Sequence, residues 1–158
     1  MIPEAELIRK ELTIRQMDFP SSVALTKNSL LRWCALSLGL ISSNESRDKG
    51  LLALDALFTF IFTKKQNPTT LDIQEYIMSK SKVEMSEKLI RYHLNRVIDL
   101  GLIQREGLSY KINPSPTSEQ RNSMKESFNA WVKDALNKEM EKTSGALDKL
   151  QKMYEEKK

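Results

Sequence analysis

The chain has 158 residues and a formal charge of +4, with 40% hydrophobic and 29% charged residues. That composition excludes a disordered chain, and the length suffices to bury one core. Cys34 is the only cysteine and His93 the only histidine, so an intramolecular disulfide is excluded and a zinc site lacks ligands. With five glycines and five prolines, a helix-rich protein is expected rather than a loop-rich all-β one.

The positive excess sits mostly between residues 49 and 113, a distribution that suits a polyanionic partner but is common among unrelated proteins. Met1 to Met17 alternates charged and apolar residues and lacks the apolar core of a signal peptide. The most apolar runs, 30–41 and 51–62, contain Arg32 and Asp55 and fall short of the about 20 residues that cross hydrocarbon. A cytoplasmic protein without membrane contact is the expectation.

In chain order, residues 4–17 place Ile8 and Leu12 on a helical stripe, ended by Asp18-Phe19-Pro20. A second helix begins near Thr26 and runs to Leu40, apolar nearly all round and therefore covered on more than one side. It carries Trp33 as a packing anchor and Cys34 as a small core hydrophobe. After a polar connector over 42–49, Leu51–Thr63 forms a third, mostly apolar helix. Residues 64–70 then turn into a threonine cap supported by Asp72, and Leu71–Met78 follows as a short helix with Ile73 and Ile77 on one face.

Ser86 caps the next helix, whose apolar face is Ile90, Leu94, Val97 and Ile98 and whose end is set by Gly101. Two short strands, 102–105 and 108–112, flank Glu106-Gly107. Asn113-Pro114-Ser115-Pro116 stops the hairpin. A last helix is predicted from Thr117, with Gln120 completing a capping box, almost to Lys158. Within it Leu136, Met140, Thr143, Leu147, Leu150 and Tyr154 alternate spacings of four and three, a coiled-coil seam. Met124, Phe128, Trp131 and Ala135 keep those spacings out of phase, so the stripe must shift near Ala135 and Leu136.

The order helix, helix, turn, helix, hairpin over residues 51–112 resembles the winged helix-turn-helix family of DNA-binding domains. The residues that carry the resemblance are Ser86 to Ile112, SEKLIRYHLNRVIDLGLIQREGLSYKI. From the family pattern of a helix ending in Leu-x-x-Gly-Leu-Ile before a wing, the text Val97-Ile98-Asp99-Leu100-Gly101-Leu102-Ile103 departs little. The implied architecture is mainly α: extra N-terminal helices over 1–48, a winged helix-turn-helix over 49–113 with a two-stranded wing, and a C-terminal helix over 114–158.

The resemblance implies double-stranded DNA as partner and a role in transcription regulation or DNA organisation, with a nucleoid location. With Ile90, Leu94 and Val97 inward, steps of about 100° turn Lys88, Tyr92, Asn95 and Asp99 outward, flanked by Arg91 and Arg96. Arg and Asn suit base edges, whereas Lys and Tyr suit phosphate. Candidate DNA contacts are therefore Lys88, Arg91, Tyr92, Asn95 and Arg96, with Arg105 and Lys111 on the wing. Asp99 would repel phosphate and is left out, while the Lys64-Lys65 pair adds nonspecific attraction. The acidic Glu106-Gly107 tip argues against deep minor-groove insertion.

Two readings of the C-terminal helix stay open. Its seam pairs with a second chain through Leu136, Met140, Leu147, Leu150 and Tyr154, or it breaks at Ser144-Gly145 and folds back over residues 30–62. The rival to DNA binding is a protein-interaction module within a larger assembly. No phosphate loop, carboxylate pair or nucleophile–base signature is present, so neither an enzyme nor a cofactor is expected.

Overall fold

The computed structural model describes residues 1–42 and 49–156. Among them the protein is mainly helical, and its sheet is a two-stranded antiparallel hairpin. The helices are α1 (Lys27–Ser37), α2 (Lys49–Phe58), α3 (Thr70–Ser81), α4 (Glu87–Leu100), α5 (Met124–Phe128) and α6 (Asp134–Glu155), and the strands are β1 (Ile103–Glu106) and β2 (Ser109–Ile112). The expected polar connector lies largely on residues 43–48, outside the described residues.

Local chemistry explains most boundaries. Thr26 caps α1 by accepting from the Ser29 N–H at 3.1 Å. Thr69 and Asp72 form a reciprocal capping box at the start of α3, with bonds of 2.9 and 3.2 Å. Ser86 caps α4 through the Leu89 N–H at 3.1 Å, and Met85 and Ile90, the two residues of a hydrophobic staple, are both buried. Gly101, at φ +107°, ends α4 and donates to the carbonyls of Val97 and Ile98.

The core forms where the one-sided faces of α2, α3 and α4 meet beneath the hairpin. Leu54, Leu57, Ile73, Ile77, Ile90, Leu94, Ile103 and Ile112 are all buried, and α4 touches α2, α3 and β1. In the hairpin Ile103 pairs with Ile112 and Glu106 with Ser109, so the turn residues are Gly107 and Leu108, one position later than the sequence suggests. A further bridge joins Ser109 to Thr69, and the Tyr110 N–H donates to the Pro68 carbonyl, which ties the hairpin to the start of α3. Tyr110 is fully buried, its hydroxyl 3.1 Å from the Thr70 hydroxyl.

Three expectations are corrected. The amphipathic helix over 4–17 is absent: only a short 3-10 turn, Pro3–Leu7, forms, and the chain then crosses the head without helical structure until a second 3-10 turn at Ser21–Leu25. The reason is a competing tertiary cap. The Arg15 N–H donates to the Ser37 carbonyl, and its guanidinium to the carbonyls of Leu36 and Ile41, at 2.8 to 2.9 Å. These bonds satisfy the C-terminal end of α1 and hold the segment extended. Cys34 is exposed on α1 instead of lying in the core, although nearby apolar surface raises its thiol pKa by desolvation.

The last helix does not begin at Thr117. Ser115 accepts from the Thr117 N–H and Ser118 from the Gln120 N–H, so these residues form side-chain-braced turns. Ser123 is the true cap, accepting from the Glu126 N–H at 3.2 Å. The helix then continues from α5 through a π turn, Asn129–Lys133, directly into α6. The extra residue of a π turn rotates everything after it, which accounts for the change of phase seen in the apolar stripe. Packing of the head extends into this region: Val132 is fully buried and Ser127 donates to the Leu102 carbonyl at 3.1 Å.

A Cβ added at Gly101 would meet the Trp131 Cβ at 3.3 Å in a backbone conformation unfavourable to other residues. Gly101→Ala should therefore destabilise the head by more than about 1 kcal/mol, read as a lowered urea midpoint with unchanged slope.

Candidate nucleic-acid interface

The outward face of α4 follows from its inward one. Ile90, Leu94, Val97 and Leu100 are 0 to 4% exposed, which fixes the helix about its axis. The opposite positions, Lys88, Tyr92, Asn95 and Asp99, are all exposed, Tyr92 to 57%. Lys88 and Asn95 make no hydrogen bond or ion pair among the described residues. Tyr92 meets the His93 ring edge-on at 5.1 Å. The turn from α3 into α4 is set by Gln74, which donates to the Met85 carbonyl at 2.8 Å, so the start of the exposed face is anchored to the preceding helix.

The cations flanking this face divide into free and engaged ones. Arg91 is half-exposed and reaches Glu87 one turn back at 3.8 Å, a weak surface pair that leaves it available. Arg96 is corrected from reading residue to structural one. Its guanidinium donates to the carbonyls of Gly39 and Leu40 at 2.6 and 2.9 Å, fastening the end of α1 onto α4. Sequence periodicity placed Arg96 beside the outer face, but nothing in the local pattern announces a partner more than fifty residues away.

The cations of the hairpin are also partly committed. Arg105 lies over the Tyr110 ring at 5.2 Å. Lys111 forms an ion pair with Glu106 across the hairpin, and is thereby corrected from a free phosphate contact to a neutralised one. The hydrogen bond and positive charge of Lys111 lower the Glu106 pKa. Glu106 therefore stays ionised through the pH range where carboxylates ordinarily protonate, and Lys111 is released only as pH falls through the lowered value.

Elsewhere, Lys64 sits over the rings of Phe60 and Tyr76, at 4.4 and 4.9 Å. Lys80 bonds Asp55 at 3.1 Å, which raises the lysine pKa. Lys82, which lies outside the helical projection of α4, is exposed at φ +56° and caps α3 on the turn that leads into α4. Its lysine-rich setting, Lys80-Ser81-Lys82, was the available signal. The outer face of α4 therefore presents Lys88, Arg91, Tyr92, Asn95 and, at its far end, Asp99, with Lys82 on the turn before the helix.

Among the described residues no cluster of three His, Cys, Asp or Glu could hold a metal ion, and no helix is long and apolar enough to cross a membrane. Comparisons with protein-family models, curated proteins and solved structures found no match.

The division between free and engaged residues is measurable without any ligand. Arg96→Ala leaves two carbonyls without their charged donor and should cost about 1.5 to 3 kcal/mol in urea unfolding, whereas Asn95→Ala should stay within about 0.5 kcal/mol of the parent.

Proposed function

We propose that this protein binds double-stranded DNA through the outer face of α4, as a winged helix-turn-helix regulator or DNA-organising protein acting as a homodimer inside the cell. The observation that carries this reading is the row Lys88, Tyr92 and Asn95, exposed and unburdened on a helix held rigidly by its other side. One α-helix fits the major groove of B-DNA, where Asn and Arg offer bidentate groups to base edges. Lys82 and Lys88 supply phosphate contacts at the leading end of the helix, and the hairpin after Gly101 supplies a wing whose pairing of Lys111 with Glu106 confines it to the flanking backbone.

The second reading is a protein-docking module. It is favoured by the exposed apolar residues of the N-terminal segment, Leu7, Ile8 and Phe19, which are 55 to 76% exposed. Steeply salt-dependent duplex binding belongs to the first reading alone, since it follows from counterion release at phosphates.

Fluorescence anisotropy with a labelled duplex separates the two. DNA binding should weaken linearly in log affinity against log salt, and Lys88→Ala should reduce that slope by about 1. Arg91→Ala combined with Asn95→Ala should cost about 1 to 3 kcal/mol per lost base contact on a selected sequence and compress the preference over random duplex. No measurable duplex affinity at low salt would reject the DNA reading and leave the docking module.

Glu106→Gln releases Lys111, so at neutral pH it should tighten duplex binding, the gain disappearing at high salt. Weaker or unchanged binding at low salt would mean that the hairpin stands away from the backbone.

A further inference from the structure

We infer that α6 pairs with α6 of a second copy in an antiparallel coiled coil whose two-fold axis lies at the level of Gly145. The inference takes its partner from the dimeric reading above but not from DNA binding. After the π turn the helix leaves the head entirely: every residue from Asn137 to Glu156 is exposed, with Leu147 at 61% and Tyr154 at 70%. The helix runs unbroken through Ser144 and Gly145, so the fold-back over residues 30–62 is absent. Shallow grooves follow the seam, one between Leu136 and Leu147 and one between Leu147 and Glu155, recesses of the kind that receive knobs from a partner helix.

The distribution of charge points to an apolar partner along this stripe. Lys138, Glu141, Lys142, Asp148, Lys149 and Lys152 all fall on positions turned away from the seam. The ion pairs of α6 link Lys142 to Glu139 and Lys152 to Asp148. Glu139 is the single charge flanking the stripe, and it is drawn outward by Lys142. The other flanking positions are Asn137, Ser144, Ala146, Gln151 and Met153, none of them charged.

The partner is a second copy because the seam is self-complementary. Its spacings of four, three, four, three and four read the same in both directions. Reversing one helix sets Leu136 against Tyr154, Met140 against Leu150 and Thr143 against Leu147, each twice about the axis. Tyr154 is thereby set against the smaller Leu136, Leu147 against the smaller Thr143, and Met140 against Leu150 of nearly equal volume, which keeps packing even. A parallel pair would instead stack tyrosine on tyrosine and threonine on threonine, one layer overfull and one sparse. In the reversed pair Ser144 lies beside Ser144 and Ala146 beside Ala146, so the helices approach most closely at the axis. The opposed helix dipoles also favour this arrangement.

The pairing puts the two heads at opposite ends of the rod. In this register Asp134 of one copy lies level with Glu156 of the other, so the two starts of α6 are separated by about 33 Å at 1.5 Å per residue.

Cysteine cross-linking with sedimentation tests the inference in the full chain. In a Cys34→Ser background, Met140→Cys and Leu150→Cys are oxidised separately and as a mixture of differently sized tagged chains. The antiparallel register gives a disulfide between the two different chains only in the mixture, because the like cysteines sit about 15 Å apart along the axis. Sedimentation velocity should give a dimer at tens of micromolar, converted to a monomer by Leu147→Lys with the circular-dichroism melting of the head unchanged. Either a monomeric parent or self-cross-linking of Met140→Cys alone would overturn the inference. Neither readout involves DNA, so a failure of DNA binding leaves this result standing, and the reverse also holds.

Discussion

Burial of one face of α4 is the constraint on which the rest depends. Ile90, Leu94, Val97 and Leu100 are sealed against α2, α3 and the hairpin, so rotation of the helix about its axis would expose several large apolar side chains at about 1.5 to 3 kcal/mol each. The outer residues are thereby presented in one fixed orientation. Both ends are fixed as well, by the Ser86 cap and by Gly101, whose tight approach to Trp131 couples the end of α4 to the C-terminal rod. A backbone held in this way loses little conformational freedom when its exposed side makes a contact.

The distribution of positive charge is as informative for what is committed as for what is free. Arg15 and Arg96 serve α1 by donating to its final carbonyls and to those of the loop after it, and Asp55 gathers both Lys27 and Lys80. Lys10 reaches the Leu100 carbonyl at the far end of α4. Lys10 and Arg15 put charged donors on helix-terminal carbonyls and join the N-terminal segment to the helices. These contacts leave the formal charge of +4 unchanged but fix the side chains that carry part of it, whereas Lys88 at the leading end of α4 is held by no such bond.

The C-terminal rod has the opposite character. It leaves the head at Val132, and the π turn there sets the direction in which its apolar stripe faces. Removing one residue from that turn would rotate the stripe by about 100° relative to the head without altering its sequence. Head and rod are thus separable in composition but geometrically coupled, and the orientation of any partner on the rod is decided within a few residues of the core.

Elements whose signals are local could be read from the residues alone. Helix caps at Thr26, Thr69 and Ser86, the stop at Gly101, the hairpin, the apolar face of α4 and the apolar stripe of α6 all follow from spacings within about a turn or two, where backbone and neighbouring side chains dominate. Partners distant along the chain emerge only once the helices are packed. The stretch before Pro20 has helical periodicity but is held extended by Arg15 on the carbonyls of Leu36 and Ile41. Arg96 looks solvated on a helical projection and is bound to Gly39 and Leu40. In both cases the deciding energy is a charged hydrogen bond to a carbonyl distant in sequence, and periodicity carries no information about such a bond.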